Sequence, residues 1–148
     1  MKRAFTLIEL LIVISIIAIL AATIIPNFIG FDTEARISAT KTNLDTLRTR
    51  VTLFRAKEGK YPVSLKDLVE TYYYDAGIKR PYLNMMPPEM ISSKKGSGEF
   101  VDTPSTEQPP TQNGGWAYYT DKADVHVNIV DPLDNKWGDF EGQKPIDW

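Results

Sequence analysis

The sequence contains no cysteine among its 148 residues, which excludes disulfide bonds and thiolate metal sites. Its single histidine, His126, alternates with two valines in an apolar segment, a pattern that predicts an exposed imidazole. No cysteine or serine partner lies near it, so it does not indicate catalysis. The net charge of -2 gives no electrostatic reason to expect a nucleic-acid partner. Because no phosphate-binding loop, zinc-protease motif or nucleophile elbow occurs either, we expect no enzyme activity.

Charge is almost absent from the front of the chain. Residues 5–25 form an apolar run whose one charged side chain is Glu9. A helix of ~20 apolar residues crosses the ~30 Å hydrocarbon core of a bilayer, so this run predicts a membrane span. Lys2 and Arg3 precede the run, which places the N-terminus in the cytoplasm and the rest of the chain outside it. An ordinary secretory signal peptide is the competing interpretation, but its apolar core would be shorter and would lack a carboxylate.

A helical pattern continues after the span. Gly59 occupies the position of a C-capping glycine, with Arg55 and Lys57 in the last turn. The spacing therefore predicts one helix from about Phe5 to Lys57, with a kink or local melting just before Pro26. We expect the C-terminal half to pack on the protein's own domain and the N-terminal half to be free for partners. The predicted packing stripe consists of Ile37, Thr40, Leu44, Leu47, Val51 and Phe54.

The remaining residues predict a small domain of mixed structure. Ser64 is a candidate N-cap for a short helix over residues 65–70. Residues 87–115 are rich in proline, serine and glycine and predict a long surface excursion. Residues 115–120 and 125–130 predict two strands joined by a turn. The expected fold is α+β, a long kinked N-terminal helix packed on a small antiparallel sheet with long loops.

The front segment also has a specific likeness. Lys2-Arg3-Ala4 followed by Phe5-Thr6-Leu7-Ile8-Glu9-Leu10, and then by an apolar span containing Pro26, resembles the leader junction of type IV pilins and type II secretion pseudopilins. The resemblance covers about the first 30 residues closely. One departure is Ala4, where these families mostly have glycine. The absence of cysteine favours pseudopilin-like chains or pilins that lack a disulfide.

The resemblance implies a division of the chain and a processing event. Residues 1–4 would be a leader, residues 5–27 a membrane anchor and later the filament core, and residues 28–148 the domain outside the cytoplasm. A prepilin peptidase would cut between Ala4 and Phe5, and the new amine of Phe5 would be methylated. Glu9 would then occupy the acidic position of the family, and Pro26 its helix proline.

Glu9 has a physical argument of its own. A charged side chain in a span costs roughly 2.5–3.5 kcal/mol on insertion scales, so such a residue is usually paired and functional. Removal of the leader creates a positive amine on Phe5, which the Glu9 carboxylate of an arriving subunit can neutralise in the low-dielectric filament core. The alternative is that the carboxylate reaches the membrane surface and has no role.

The acidic C-terminal tail leaves two interpretations open. Its side chains could supply the oxygen ligands that calcium prefers, as the C-terminal loop does in major pseudopilins, or they could form a solvated acidic loop. The spacing does not match an EF-hand. The candidate ligands are Asp131, Asp134, Asn135, Asp139 and Glu141.

The resemblance therefore implies a structural subunit of a type IV pilus-like filament. Its expected partners are further copies of itself, related minor pilins, the prepilin peptidase, and an assembly platform with its ATPase. Its expected location is the bacterial inner membrane and then an extracellular or periplasmic filament. A major-type pseudopilin of a type II secretion system is the alternative within this class. A membrane-anchored binding module that never polymerises is the alternative outside it.

Overall fold

A long helix, α1 (Leu7–Glu58), dominates the structure. The computed structural model describes residues 5–92, 96–105, 111 and 113–148, with the backbone alone for residues 25–30. The predicted C-cap is confirmed, since Gly59 adopts a left-handed conformation with φ 74° and its N–H donates to the Arg55 carbonyl. The backbone remains helical through Pro26, so the chain does not melt there. The kink at Pro26 stays a prediction.

The domain beyond α1 consists of short elements. α2 (Asp67–Glu70) is followed by an antiparallel hairpin, β1 (Tyr72–Asp75) and β2 (Ile78–Pro81). A separate three-stranded sheet has the order β3-β4-β5. Two 3₁₀ helices end the chain, Asn135–Phe140 and Pro145–Asp147. The strands of the sheet are β3 (Phe100–Thr103), β4 (Trp116–Tyr119) and β5 (Asp124–Val127).

The predicted packing stripe of α1 is confirmed in full. All six of its side chains are buried, none more than 4% exposed. Leu44, Leu47, Val51 and Phe54 belong to the main core cluster together with side chains of α2, β4 and β5. Ile37 lies in a second cluster with Leu133 and Trp137. The seven-residue spacing thus marks the helix face that covers the domain.

The two predicted strands are confirmed, but the sheet around them is mixed. β4 and β5 pair antiparallel, with Val125 and Val127 buried on the core side. β3 pairs parallel to β4, which the expectation of an antiparallel sheet missed. Parallel neighbours need a connection of about a dozen residues or more, and residues 104–115 supply it here. As the central strand, β4 is buried on both faces.

The interpretation of residues 87–115 as a surface excursion is wrong in two places. β3 lies inside this segment, and Glu89 is fully buried. The Glu89 carboxylate accepts hydrogen bonds from the backbone N–H groups of Ile91, Ser92 and Gly115 and from the Ser92 hydroxyl. Gly115 has φ 75°, and a Cβ there would lie 2.3 Å from the Glu99 carbonyl oxygen. Through these hydrogen bonds, the Glu89 carboxylate connects residues 91–92 to Gly115, directly before β4.

Two smaller expectations are also corrected. The short helix begins at Asp67, two residues later than predicted, after a turn in which the Ser64 hydroxyl accepts from the Lys66 N–H, the bond expected of an N-cap residue. His126 is partly buried, not exposed. Its Nδ1 lies 2.7 Å from the Ile146 carbonyl oxygen and its Nε2 lies 3.1 Å from Asp124 Oδ2. The C-terminal residues pack over β5 and enclose the imidazole, a long-range contact that alternation within one strand does not predict.

Candidate assembly surface

The N-terminal half of α1 presents apolar side chains to the outside of the domain. The segment Leu7–Ile24 has a mean hydropathy of 2.8, and none of it is buried. By length and composition it is able to cross a membrane. Its leucine and isoleucine side chains surround the whole helix instead of forming one stripe. A helix that is apolar all round is stable only when lipid or other protein surrounds it, so this half requires a cover that the described part of the chain does not provide.

The apolar segment begins at a capping box. The Thr6 hydroxyl accepts from the Glu9 N–H at 3.3 Å, and Glu9 Oε2 accepts in turn from the Thr6 N–H at 2.9 Å and from its hydroxyl at 2.7 Å. Capping boxes satisfy N–H groups that the first helical turn leaves without partners. The Glu9 carboxylate is thereby held at the N-terminal end of the helix, against Thr6, the residue that follows Phe5.

Two polar side chains within the segment are satisfied locally. The Ser15 hydroxyl donates to the Leu11 carbonyl, and the Thr23 hydroxyl donates to the Leu20 carbonyl, both at 2.8 Å. Hydroxyls that bond back to the helix present little unsatisfied polarity to an apolar environment. Glu9 is the one ionisable side chain within Leu7–Ile24, so it is the main polar group of the segment.

Some of the predicted site residues lie in the described part of the structure, and others do not. Phe5 lies at the exposed N-terminal end of the described chain, next to the capping box. Lys2, Arg3 and Ala4 lie outside the described residues, and the side chain of Pro26 is not described either. Cleavage between Ala4 and Phe5, methylation of Phe5 and the roles of Glu9 and Pro26 in assembly stay predictions.

The candidate calcium ligands do not converge. Asp131 and Asp134 line a cleft that also holds Lys136, whose Nζ lies 3.0 Å from Asp134 Oδ2. Asp139 lines a different cleft beside α1, and buried Trp137 borders both clefts. Over the described part of the chain, no three histidine, aspartate or glutamate side chains lie close enough to hold a metal ion.

A turn inside the first 3₁₀ helix explains this separation. Gly138 has φ 55° and ψ -123°, a conformation outside the helical range. The chain therefore changes direction between Asp134 and Asp139, and the carboxylates before and after the turn point into different surroundings. Glu141 and Asn135 lie on the exposed surface at either side of this turn. Calcium binding at this loop stays untested, and it would require the chain around Gly138 to rearrange.

One functional contact was missed by the sequence reasoning although its signal is visible. Thr6-Leu7-Ile8-Glu9 has the Thr-x-x-Glu spacing of a capping box directly before an apolar run. This pattern shows that Glu9 has a partner within its own chain before any assembly. The other missed features, β3 and the buried Glu89, have no comparable local signal.

The N-terminal segment matches a known motif. A model described as the prokaryotic N-terminal methylation motif matches residues 1–25. This match covers Phe5, Glu9 and the whole exposed apolar segment Leu7–Ile24 of α1. The structure and the match together define the class of protein. It has an N-terminal methylation motif on the exposed half of a long helix, and the other half of that helix packs on a small α+β domain.

Individual relatives carry the likeness further along the chain. Type IV major pilin protein PilA of Myxococcus xanthus (strain DK1622) is 51% identical over 60 residues, which is 40% of this chain and 27% of that protein. Type II secretion system core protein G of Dickeya chrysanthemi is 27% identical over 88 residues, 60% of this chain and 52% of that protein. Type IV major fimbrial protein FimA of Dichelobacter nodosus is 39% identical over 62 residues, 40% of each chain.

These matches confirm the resemblance to type IV pilins and type II secretion pseudopilins. They span between about a quarter and about half of the relatives' own lengths. No solved structure matches the chain at a significant level. The one match whose position is known, the methylation motif over residues 1–25, lies on the exposed end of α1.

Proposed function

We propose that this protein is a structural subunit of a type IV pilus-like filament. The observation that carries the proposal is the exposed apolar half of α1, which lies within the residues that match a methylation motif. Before assembly the bilayer covers this half, and in the filament the same half of other copies covers it. Its burial is favourable in both surroundings, so a subunit can leave the membrane without exposing apolar side chains to water.

Processing prepares the N-terminus for this exchange. Cleavage between Ala4 and Phe5 removes Lys2 and Arg3 and leaves a methylated amine on Phe5. The capping box already holds the Glu9 carboxylate at the same end of the helix. In the filament core, the carboxylate of one copy neutralises the amine of a neighbour and fixes the axial register of the two helices. The filament consists of copies of this chain with related minor pilins, and its subunits perform no chemical step.

A pseudopilin of a type II secretion system is the second candidate. One observation favours it, the similarity to a secretion core protein, which covers more of this chain than the two pilin matches do. Both candidates share the processing and the inner-membrane origin, with the domain outside the cytoplasm. They differ in whether a surface fibre forms at native expression or whether the polymer stays in the periplasm.

Mass spectrometry and electron microscopy of the full chain test the proposal. We expect the purified subunit to begin at a methylated Phe5 and sheared surface material to contain long fibres. Fibres that appear only on overexpression would favour the pseudopilin. A chain that retains Met1 and forms no fibres would instead be a membrane-anchored module, and the proposal would fail.

A further inference from the structure

The β1–β2 hairpin carries an exposed aromatic and basic face. Tyr74 pairs directly with Lys79 across the two strands, so both side chains lie on one face. Lys79 Nζ lies 4.4 Å from the ring centroid of Tyr72, which lies on the same face. Tyr74 is 69% exposed. Tyrosine is enriched in the centres of protein interfaces, which makes this hairpin face a candidate contact surface.

An acidic and aromatic cleft lies against the other end of the domain. It has a volume of about 320 Å³ and is formed where α1 meets the first 3₁₀ helix. Its apolar wall consists of Phe31, Trp137 and Phe140, and its polar lining includes Glu34 and Asp139. Its described lining residues include these two carboxylates, and Lys41 and Lys136, which are not among them, lie 5.6 and 6.0 Å from the ring centroids of Phe140 and Trp137. Phe31 is 61% exposed, so the cleft is open at its edge.

The hairpin and the cleft lie at opposite ends of the domain part of α1. Lys57 Nζ lies 5.5 Å from the ring centroid of Tyr73 in β1, which places the hairpin beside the end of the helix. The cleft is beside Glu34. A helix rises 1.5 Å per residue, so these two positions of α1 are ~35 Å apart. The hairpin therefore contacts a cleft only on another copy, and such a head-to-tail contact can repeat along a filament.

We propose that the hairpin of one copy inserts Tyr74 into the cleft of the next copy. Lys79 then lies against Glu34 and Asp139, so the charges of the two surfaces are complementary. The inference rests on the proposed function, because subunits whose apolar helices pack parallel to one another present the hairpin of one copy toward the cleft of its neighbour. The domain contact adds a second, solvent-exposed interface to the buried helical one.

The absence of cysteine from the chain allows a direct test. A full-length chain carrying both Tyr74→Cys and Asp139→Cys should form disulfides between copies, since a disulfide needs Cα atoms about 4.4–6.8 Å apart. Because each copy then has one cysteine at each end, a non-reducing gel should show a ladder of dimers, trimers and larger species. Met85→Cys combined with Asp139→Cys is the matched control, since Met85 is 74% exposed but lies outside the hairpin. It should give no ladder.

Charge reversal tests the same contact without a cross-link. We expect Lys79→Glu to lower the yield of sheared filaments about tenfold, in the range seen when a central interface side chain is removed. Adding Asp139→Lys to this variant should restore most of the yield, because the opposite charges then face each other in exchanged positions. Lys122→Glu, an exposed lysine in the turn between β4 and β5, should leave the yield unchanged.

The outcomes separate this inference from the proposed function. If the wild-type chain forms fibres while the paired cysteines give no ladder and Lys79→Glu keeps the full yield, the head-to-tail contact is wrong and the filament function stands. If the wild-type chain forms no fibres, the proposed function fails and this contact fails with it.

Discussion

The two halves of α1 share one continuous backbone but bury different surfaces. In Leu7–Ile24, apolar side chains surround the helix and none of the segment is buried. Between Ile37 and Phe54, a narrow stripe is buried in the domain and the opposite face is polar. Hydrophobicity alone would place the first half in a core. Within the described residues, burial and the angular distribution of the apolar side chains show instead that the second half packs on the domain and the first half does not.

The largest effect on the exposed half of α1 is expected at Glu9. We expect Glu9→Gln to abolish filament formation while the subunit still inserts in the membrane, because a neutral amide cannot compensate a buried amine. Glutamine also completes a capping box, so this variant keeps the local structure and removes only the charge. Electron microscopy of sheared fractions and membrane fractionation measure the two effects.

Thr6→Val is the matched variant, since it removes the hydroxyl of the capping box and keeps the carboxylate. It should assemble at close to the normal yield. If Thr6→Val failed to assemble as completely as Glu9→Gln, capping and not charge would explain the role of Glu9.

A pair of alanine substitutions compares the two halves directly. Leu47→Ala should destabilise the domain by about 2–5 kcal/mol, since it removes a fully buried side chain and leaves a cavity. Ile16→Ala should leave the stability of the domain unchanged, because Ile16 contacts no domain core cluster. Urea unfolding of the full chain in detergent, followed by tryptophan fluorescence, measures both. Equal destabilisation by the two variants would contradict the division of the helix.

A substitution at Glu89 measures how strongly the segment between β2 and β4 is held against the buried half of α1. Thr40 Oγ1 accepts from the Met90 N–H, and Asn43 Nδ2 donates to the Pro88 carbonyl, so α1 contacts both neighbours of Glu89. We expect Glu89→Gln to destabilise the domain by about 2 kcal/mol, because hydrogen bonds to a charged group are stronger than those to an amide. The exposed Glu141→Gln is the control and should lie within ~0.5 kcal/mol of wild type in the same unfolding experiment.

Local patterns allowed most of the helix and one strand pair to be predicted. The burial stripe, the Gly59 cap and the β4–β5 pair each follow from residues near one another in sequence. β3 could not be predicted, since its four residues lie in a proline- and serine-rich segment and pair parallel with a strand reached through a long connection. The burial of Glu89 also depends on contacts made only after folding.

The candidate site divides in the same way. The exposed apolar half and Glu9 were visible in the sequence, because both depend on local composition. The separation of the five acidic-loop residues was not visible, since it results from the turn at Gly138 and the buried Trp137. The position of the cleft beside Phe31 likewise required the packing of a distant 3₁₀ helix against α1.

The pH dependence of unfolding depends on tyrosines in the core of the domain and not on the exposed half of α1. Burial, together with the nearby carboxylates of Asp102 and Asp67, raises the pKa of Tyr118 to about 12, and its hydroxyl donates to the Pro62 carbonyl at 2.7 Å. An unfolded tyrosine has a pKa of about 10. Below pH ~10 both states are neutral, and above it the unfolded state releases its proton first, so stability falls as the pH rises toward 12.

We therefore expect the melting temperature of the full chain to be flat up to about pH 10 and to fall between pH 10 and 12. Tyr118→Phe should lower stability at neutral pH by ~1 kcal/mol through the lost hydrogen bond and should reduce the alkaline fall. The fall should not vanish, because burial and a hydrogen bond to Glu58 also raise the pKa of Tyr82. An alkaline limb identical in the variant and the wild type would contradict this assignment.

The smallest expected effect concerns calcium at the loop where the exposed and buried halves of α1 meet. Because the carboxylates of Asp131 and Asp134 lie in one cleft and that of Asp139 in another, binding would require the chain around Gly138 to rearrange. We expect calcium at about 5 mM, above the ~1 mM dissociation constants of weak extracellular sites, to shift the melting temperature of the full chain by less than about 1 °C, since a ligand that does not bind the folded state does not stabilise it. EDTA should have no effect. A larger rise that is lost in Asp134→Asn would show instead that calcium gathers these side chains and closes the domain at the base of its helix.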